Sequence, residues 1–408
     1  MLFSLLLTMT LAQGVQPAPA PAPVPGLAPG LPAAIELAQQ GRNAEALKAL
    51  QKIVSQDPND HLTRLWIAKV HDQMGRPDLA EAVYRSIVLE DPRYVDALLG
   101  AGIAAMEQDQ IADAIELLTR AEALTPQNPN VLAALGRAYQ LDGRDDRSLG
   151  YFQRNAAVLP TERNVIALEG AKKQAQNRFE SQTYDEQFNG STPATRGEDV
   201  AVNFRMGDTL RLFGRGQIQS KFSSRENRLG GGAEWRWNPS TTFTGQALVN
   251  SSNKIMPQHD YLGRLDYSYH RATWSAMIRY FDFFGANVAM ASPEVTYEWN
   301  PKWTFALRYA YTSTTTNAAS GVQGNTVDVR AAHEIKPRFW IRGGYVAGVD
   351  NFELYTVDQI GKFKASTVLG QAQYIFPSLT SIVGTVSHQT RSGGVHMNRF
   401  TFGLTQAF

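Results

Sequence analysis

Two hydrophobic periods divide this chain. Up to about residue 175, apolar and small positions recur inside a helical unit that itself repeats; beyond it, apolar and polar residues alternate to the terminal Phe408. The repeat is marked by Pro58, Pro92, Pro126 and Pro160, which stand 34 residues apart, the length of a helix-turn-helix solenoid unit. Within each unit Gly41, Gly75, Asp109 and Gly143 occupy the turn, where a left-handed backbone favours glycine or a short polar residue. Ala46, Ala80, Ala114 and Ser148 follow. Small residues at this point let two helices approach closely. The alternating part is clearest in Trp303, Phe305, Leu307, Tyr309 and Tyr311, with Thr304, Ala306, Arg308 and Ala310 between them. Trp274 to Tyr280 and Arg399 to Phe408 behave alike. One face is apolar and the other polar, as in strands that are wet on one side only.

The helical motif resembles the tetratricopeptide repeat. Its small residue in the first helix matches Ala34, Ala68, Gly102 and Gly136, its small residue in the second matches the Ala46 series, and its large apolar position matches Tyr84, Leu118 and Phe152. A further helix from about Asn164 to Gln176 has the place of a terminal cap. Concave faces of solenoids bind extended ligands. The resemblance puts Trp66, Lys69, Asp72, Asp96, Glu107, Asn130, Arg137 and Gln140 there. A solvated face with no ligand is the alternative.

Many alternating segments end in Trp, Tyr or Phe, as do strands whose aromatic girdles mark the two surfaces of a bilayer. Met206-Gly207-Asp208, Asn238-Pro239-Ser240, His270-Arg271, Asn300-Pro301-Lys302, Lys336-Pro337-Arg338 and Phe376-Pro377-Ser378 read as short turns. Between them fall longer polar stretches, Ser251 to His259, Ser313 to Gln323 and Asp350 to Lys362. Short turns on one side and longer loops on the other are the outer-membrane asymmetry. With Asn177 to Phe188 as the first strand, the count is about fourteen, or twelve if the first hairpin is irregular. The predicted architecture is α+β in two domains: an all-α solenoid over 31–176, then an antiparallel transmembrane β-barrel over 177–408. Residues 1–12 read as an export signal with Thr10 and Ala12 placed for cleavage, and 13–30 as a Pro/Ala-rich linker.

Composition narrows the functional classes. Lys and Arg number 39 and Asp and Glu 38, a net charge of +1, so there is no polyanion signal and no nucleic-acid partner is expected. The absence of cysteine excludes disulfides, thiol catalysis and a lipoprotein anchor. His61, His71, His259, His270, His333, His388 and His396 lack metal-ligand spacing. No motif selects a nucleophile, and neither cofactor nor enzyme activity is expected. Gly230-Gly231-Gly232 lacks the lysine of a phosphate loop and suits close strand packing instead.

Charge is concentrated on the inward positions. Alternation places Arg205, Arg211, Arg215, Arg236, Arg264, Arg279, Arg308, Arg330, Arg342 and Arg399 in the lumen, with Glu234, Asp266, Glu294, Glu298 and Asp328 as acidic partners. Either these form a positive, hydrophilic path suited to polyhydroxylated or acidic polymers, or they form a ladder of buried ion pairs that fills the barrel.

The whole chain resembles the YaiO-type outer-membrane proteins, in which a leader, tetratricopeptide repeats and a C-terminal barrel occur in this order. The segments Phe179 to Phe188, RLFGRGQIQSKF from Arg211, WSAMIRYFDF from Trp274 and the terminal RFTFGLTQAF carry it. The last of these is similar to the aromatic-terminated signal read by the barrel-assembly machinery. The resemblance implies outer-membrane lipid around the barrel, periplasmic repeats that take a protein or a nascent polysaccharide, and a loose relation to exopolysaccharide exporters. A plugged barrel tethering an adaptor, and a barrel enzyme acting on lipid or glycan, are the competing expectations.

Overall fold

A computed structural model describes residue 28 and residues 30–189, 193–221, 223–252, 254–300, 302–316, 322–348 and 364–408. The expected export signal, nearly all of the linker and the loop Asp350 to Lys362 lie outside these residues. Helices come first: α1 Leu31–Gln39, α2 Asn43–Val54, α3 His61–Gln73, α4 Pro77–Glu90, α5 Val95–Glu107, α6 Ile111–Leu124, α7 Pro129–Leu141, α8 Asp145–Val158 and α9 Glu162–Ala175. Strands follow: β1 Arg178–Phe188, β2 Thr195–Met206, β3 Leu210–Lys221, β4 Ser224–Asn238, β5 Thr241–Asn250, β6 His259–Tyr269, β7 Ala272–Phe283, β8 Ala286–Asn300, β9 Trp303–Thr316, β10 Val322–Lys336, β11 Phe339–Ala347, β12 Ala365–Ile375, β13 Thr380–Arg391 and β14 Val395–Ala407. The chain divides into two compact units, one reaching Ala134 and the other running from Leu135.

In the first unit each helix packs against the next through the small positions of the repeat. Ala34, Ala46, Ala68, Ala80 and Ala114 have no exposed surface. The turns adopt the left-handed backbone their sequence requires, with φ of 75° at Gly41, 71° at Gly75 and 63° at Asp109. Asp60 caps α3 by accepting the N–H groups of Leu62 and Thr63. Helix α5 crosses α6 closely, so that a Cβ on Gly102 would stand 2.6 Å from Leu118 Cγ. Gly102→Val is therefore expected to cost about 1–3 kcal/mol, read as a fall of several degrees in the melting of the helical circular-dichroism signal. An unchanged melt would mean that α5 and α6 are free to part.

The second unit closes a ring. Fourteen antiparallel strands pair in chain order and β1 pairs with β14, so no edge is left to template aggregation. Connections of two to four residues join β2–β3, β4–β5, β6–β7, β8–β9, β10–β11 and β12–β13 at the end where α9 runs into β1. This is the near end. At the far end β9 and β10 extend through Thr316 and from Val322, so strand occupies part of the stretch Ser313 to Gln323 expected as loop.

Three near-end strands carry a register shift one residue before a turn, between Arg236 and Asn238, Glu298 and Asn300, and Glu334 and Lys336. Each leaves one residue outside the ladder. These residues are Trp237, Trp299 and Ile335, exposed by 63%, 59% and 50%. Trp237 packs with Trp235 and Phe243, and Trp299 with Phe305. The bulge residues are thus apolar and exposed where the strands end, and the two tryptophans with their ring neighbours form part of a girdle at the near rim. At Gly230 and Gly232 a Cβ would strike the carbonyl oxygens of Ala247 and Gly245. That run therefore provides close strand packing.

Candidate functional site: a half-filled lumen

Because side chains alternate, every second residue of each strand points inward, and these residues form two layers of different character. In the far half the inward residues are buried. Asp260, with no exposed surface, receives Arg228 at 2.9 Å and Arg279 at 2.6 Å, and both guanidinium groups are also buried. Arg228 bonds Gln217, Gln217 bonds Asp199, and Asp199 pairs with Arg215 at 2.5 Å. Glu186 takes Arg399 at 2.7 Å and has Lys221 at 3.8 Å. Beside this network Phe281, Phe283, Val288, Met290 and Ala310 form an apolar cluster, and the Arg279 guanidinium lies 4.8 Å from the Phe281 ring. A charged layer is tolerated here because each ion is paired and further hydrogen bonded.

The far end is also covered from above. Glu226 accepts the backbone N–H groups of Lys254, Ile255 and Met256 at 2.7, 3.1 and 2.9 Å, together with Ser252 Oγ at 2.6 Å and Asn250 Nδ2 at 3.0 Å. Ile255 and Met256 are buried as a result. Glu226→Ala is expected to free this segment. Loss of charge-assisted hydrogen bonds worth about 1.5–3 kcal/mol corresponds to at least about tenfold faster trypsin cleavage at the exposed Lys254 of the purified protein. Equal cleavage rates would show that the loop is not held by Glu226.

The near half is wetter. Arg264 pairs with Asp266 at 2.8 Å, Arg330 with Asp328 at 2.6 Å, and Arg308 with Glu294. Two cavities of about 400 and 710 Å³ lie among these residues. Arg342 borders both and donates to Gln371 Oε1 at 2.7 Å. Trp340 lines the smaller one. Glu298 is exposed at the near end of β8.

Arg205, Arg211 and Arg236 sit at the near rim and hold helices. Arg205 bonds Asp146 at 2.6 Å, Arg236 bonds Asp145 at 3.1 Å and the Gly143 carbonyl at 3.0 Å, and Arg211 donates to the carbonyls of Gln174 and Gln176 at 2.9 and 3.1 Å. Glu234 is 3.8 Å from Arg211. Arg338 forks onto Glu169 of α9 at 2.8 and 3.1 Å. The Arg338 turn and strand β3 stand on opposite sides of the ring, so α9 lies across the mouth. Burial holds Asp145 above the usual carboxylate range against the pull of Arg236, and burial beside Arg178 lowers the pKa of Lys173.

The helical candidates have several different environments. Lys69 lies 4.8 Å from the Trp66 ring. Asp72 accepts Tyr84 Oη at 2.9 Å, and its burial, opposed by that hydrogen bond and aided by Glu107, pushes its pKa up to about 6. Asp96 and Glu107 are exposed, as are Asn130 and Arg137. Gln140 donates to Gln174 Oε1 at 3.0 Å.

Asp199, Asp260, Glu186, Arg228, Lys221 and Glu226 are absent from the candidates read off the sequence. With them included, the expected surplus of base over acid in the far half narrows, since Asp199, Asp260 and Glu186 take Arg215, Arg279 and Arg399. Alternation alone would have found several of them.

Two models of the tetratricopeptide repeat match the chain, over residues 37–102 and 99–157. The helical region therefore consists of tetratricopeptide repeats, followed by a closed fourteen-strand antiparallel barrel. The CTR9 homolog of Arabidopsis thaliana is 34% identical over 80 residues, 19% of this chain and 7% of that protein. The chain thus matches only a small part of that relative's length. Among solved structures, the crystal structure of MamA is 24% identical, with 35% of this chain and 84% of that one covered and a TM-score of 0.32. The CymD monoaromatic hydrocarbon channel is 9% identical, with 60% and 91% covered and a TM-score of 0.42.

Proposed function

We propose that this is an outer-membrane protein of the YaiO type, whose repeats stand in the periplasm and whose barrel assists export or assembly of an envelope exopolysaccharide. The outward face supports the membrane: Leu229, Ile278 and Val368 are exposed by 65%, 68% and 61% and lie in lipid at no cost. Short turns at the end where α9 enters support a periplasmic location for the helices, because barrels of this kind keep their short turns there. The observation that carries the glycan reading is the polar near-half vestibule, with guanidinium, amide and indole groups around cavities of 400 and 710 Å³. Such groups match a polyhydroxylated chain better than an apolar ligand. The terminal Phe408 fits recognition by the barrel-assembly machinery.

A second reading, a closed barrel that only tethers the repeats, is favoured by the packed far half. Planar-bilayer conductance separates the two. The intact protein is expected to be closed, and replacing Arg228, Asp260 and Arg279 together with alanine is expected to open it. Silence before and after would favour the tether. Undiminished exopolysaccharide release after deletion of residues 31–175 would sink the role given to the repeats.

A further inference from the structure

Arg342 breaks the pattern of the lumen. Arg215, Arg228, Arg264, Arg279, Arg308, Arg330 and Arg399 each hold a carboxylate. Among the described residues no carboxylate pairs with Arg342, whose hydrogen bond goes to the neutral amide of Gln371. Its guanidinium borders both vestibule cavities. Two residues earlier on β11, and so on the same face about 7 Å away, Trp340 lines the smaller cavity.

We infer that this corner of the vestibule binds an acidic saccharide unit, with the sugar face against the Trp340 indole and its carboxylate on Arg342. This rests on the glycan reading above and names the class of sugar. A pyranose has an apolar C–H face that suits an indole, and a rim of hydroxyls that suits polar groups. Thr296, Thr304 and Gln373 supply those groups around a cavity of about 400 Å³, a size common for small-ligand sites. A guanidinium without an ionic partner takes a carboxylate through two parallel hydrogen bonds. A phosphate dianion suits the corner less well. Arg308 and Arg330 next to it are already neutralised by Glu294 and Asp328, and those carboxylates repel a second negative charge.

The test uses the full-length protein in detergent, with a tetramer of glucuronic acid and maltotetraose as probes in calorimetric titrations. The acidic tetramer is expected to bind at least about tenfold more tightly, a difference of about 1.4 kcal/mol. Arg342→Gln should abolish that preference, while Trp340→Leu should weaken both probes. Where Arg342→Gln fails to fold, Arg342→Lys reads the same question, since it keeps the charge and loses the fork; a loss of about three- to tenfold is expected. Equal binding of the two probes, or an acidic preference that survives at Arg342→Gln, overturns the assignment and leaves the glycan reading standing. Binding of neither probe also overturns it, and the glycan reading is then decided by the exopolysaccharide release assay.

Discussion

Asp260→Asn is expected to destabilise the barrel by about 3–5 kcal/mol, the largest effect of any single isosteric change in the lumen. The aspartate is fully buried between Arg228 and Arg279, whose side chains are 1% and 2% exposed. Asparagine keeps the shape and one acceptor oxygen but removes the charge. Two guanidinium groups then remain in a closed layer with only partial compensation. The measurement is the temperature at which the compact, fast-migrating barrel converts to the extended form on a denaturing gel. Asp328→Asn provides the contrast: Arg330 is 33% exposed, water replaces part of the lost interaction, and a smaller shift is expected. Equal shifts for the two variants would mean that the far layer is as wet as the vestibule. Replacing Arg228, Asp260 and Arg279 with apolar residues of similar volume should cost less than the single asparagine, because no unpaired charge is left behind.

Glu169→Lys is expected to loosen α9 from the mouth of the barrel. The Arg338 fork onto Glu169 has two charge-assisted bonds, and the paired side chains are 21% and 13% exposed. Losing an interaction worth about 1.5–3 kcal/mol should speed amide hydrogen exchange across Glu162 to Ala175 by about 10- to 150-fold. Reversal to lysine adds repulsion from Arg338. Exchanging the two charges, with Arg338→Glu and Glu169→Arg together, should restore much of the protection. That rescue separates an ionic strap from general damage to the helix. Unchanged exchange in the single variant would mean that Arg211, through the carbonyls of Gln174 and Gln176, holds α9 by itself. Freed α9 is also expected to expose the vestibule, where the proposed saccharide site lies.

Much of this was legible in one dimension. The left-handed turns at Gly41, Gly75 and Asp109 follow from residue type, and the buried alanines follow from the 34-residue period. Both are local properties, repeated often enough to stand out. Strand parity was legible too, and further than the candidate residues took it. Asp260 lies four residues before Arg264, and Arg228 eight before Arg236. Those even offsets already put both side chains on the inward face. Asp260 directly follows a segment that reads as loop, and a glycine run separates Arg228 from Arg236.

Alternation gives the face of each residue but not its partner. Asp260 serves Arg228, 32 residues away, and Arg279, 19 residues away, while Glu186 meets Arg399 across the seam between first and last strands. Such pairings depend on the register of every strand between them and on the ring closing. The same closure separates the packed far half from the wet near half, which the sequence left as two equal alternatives.

The sequence by itself determined the two periods, the repeat, the fourteen-strand estimate and the inward face of each strand, because these come from backbone geometry acting over a few residues. Only the tertiary structure decided which arginines are neutralised, which hold α8 and α9, and which one is left facing the vestibule, because charges far apart in the chain meet only when the cylinder closes.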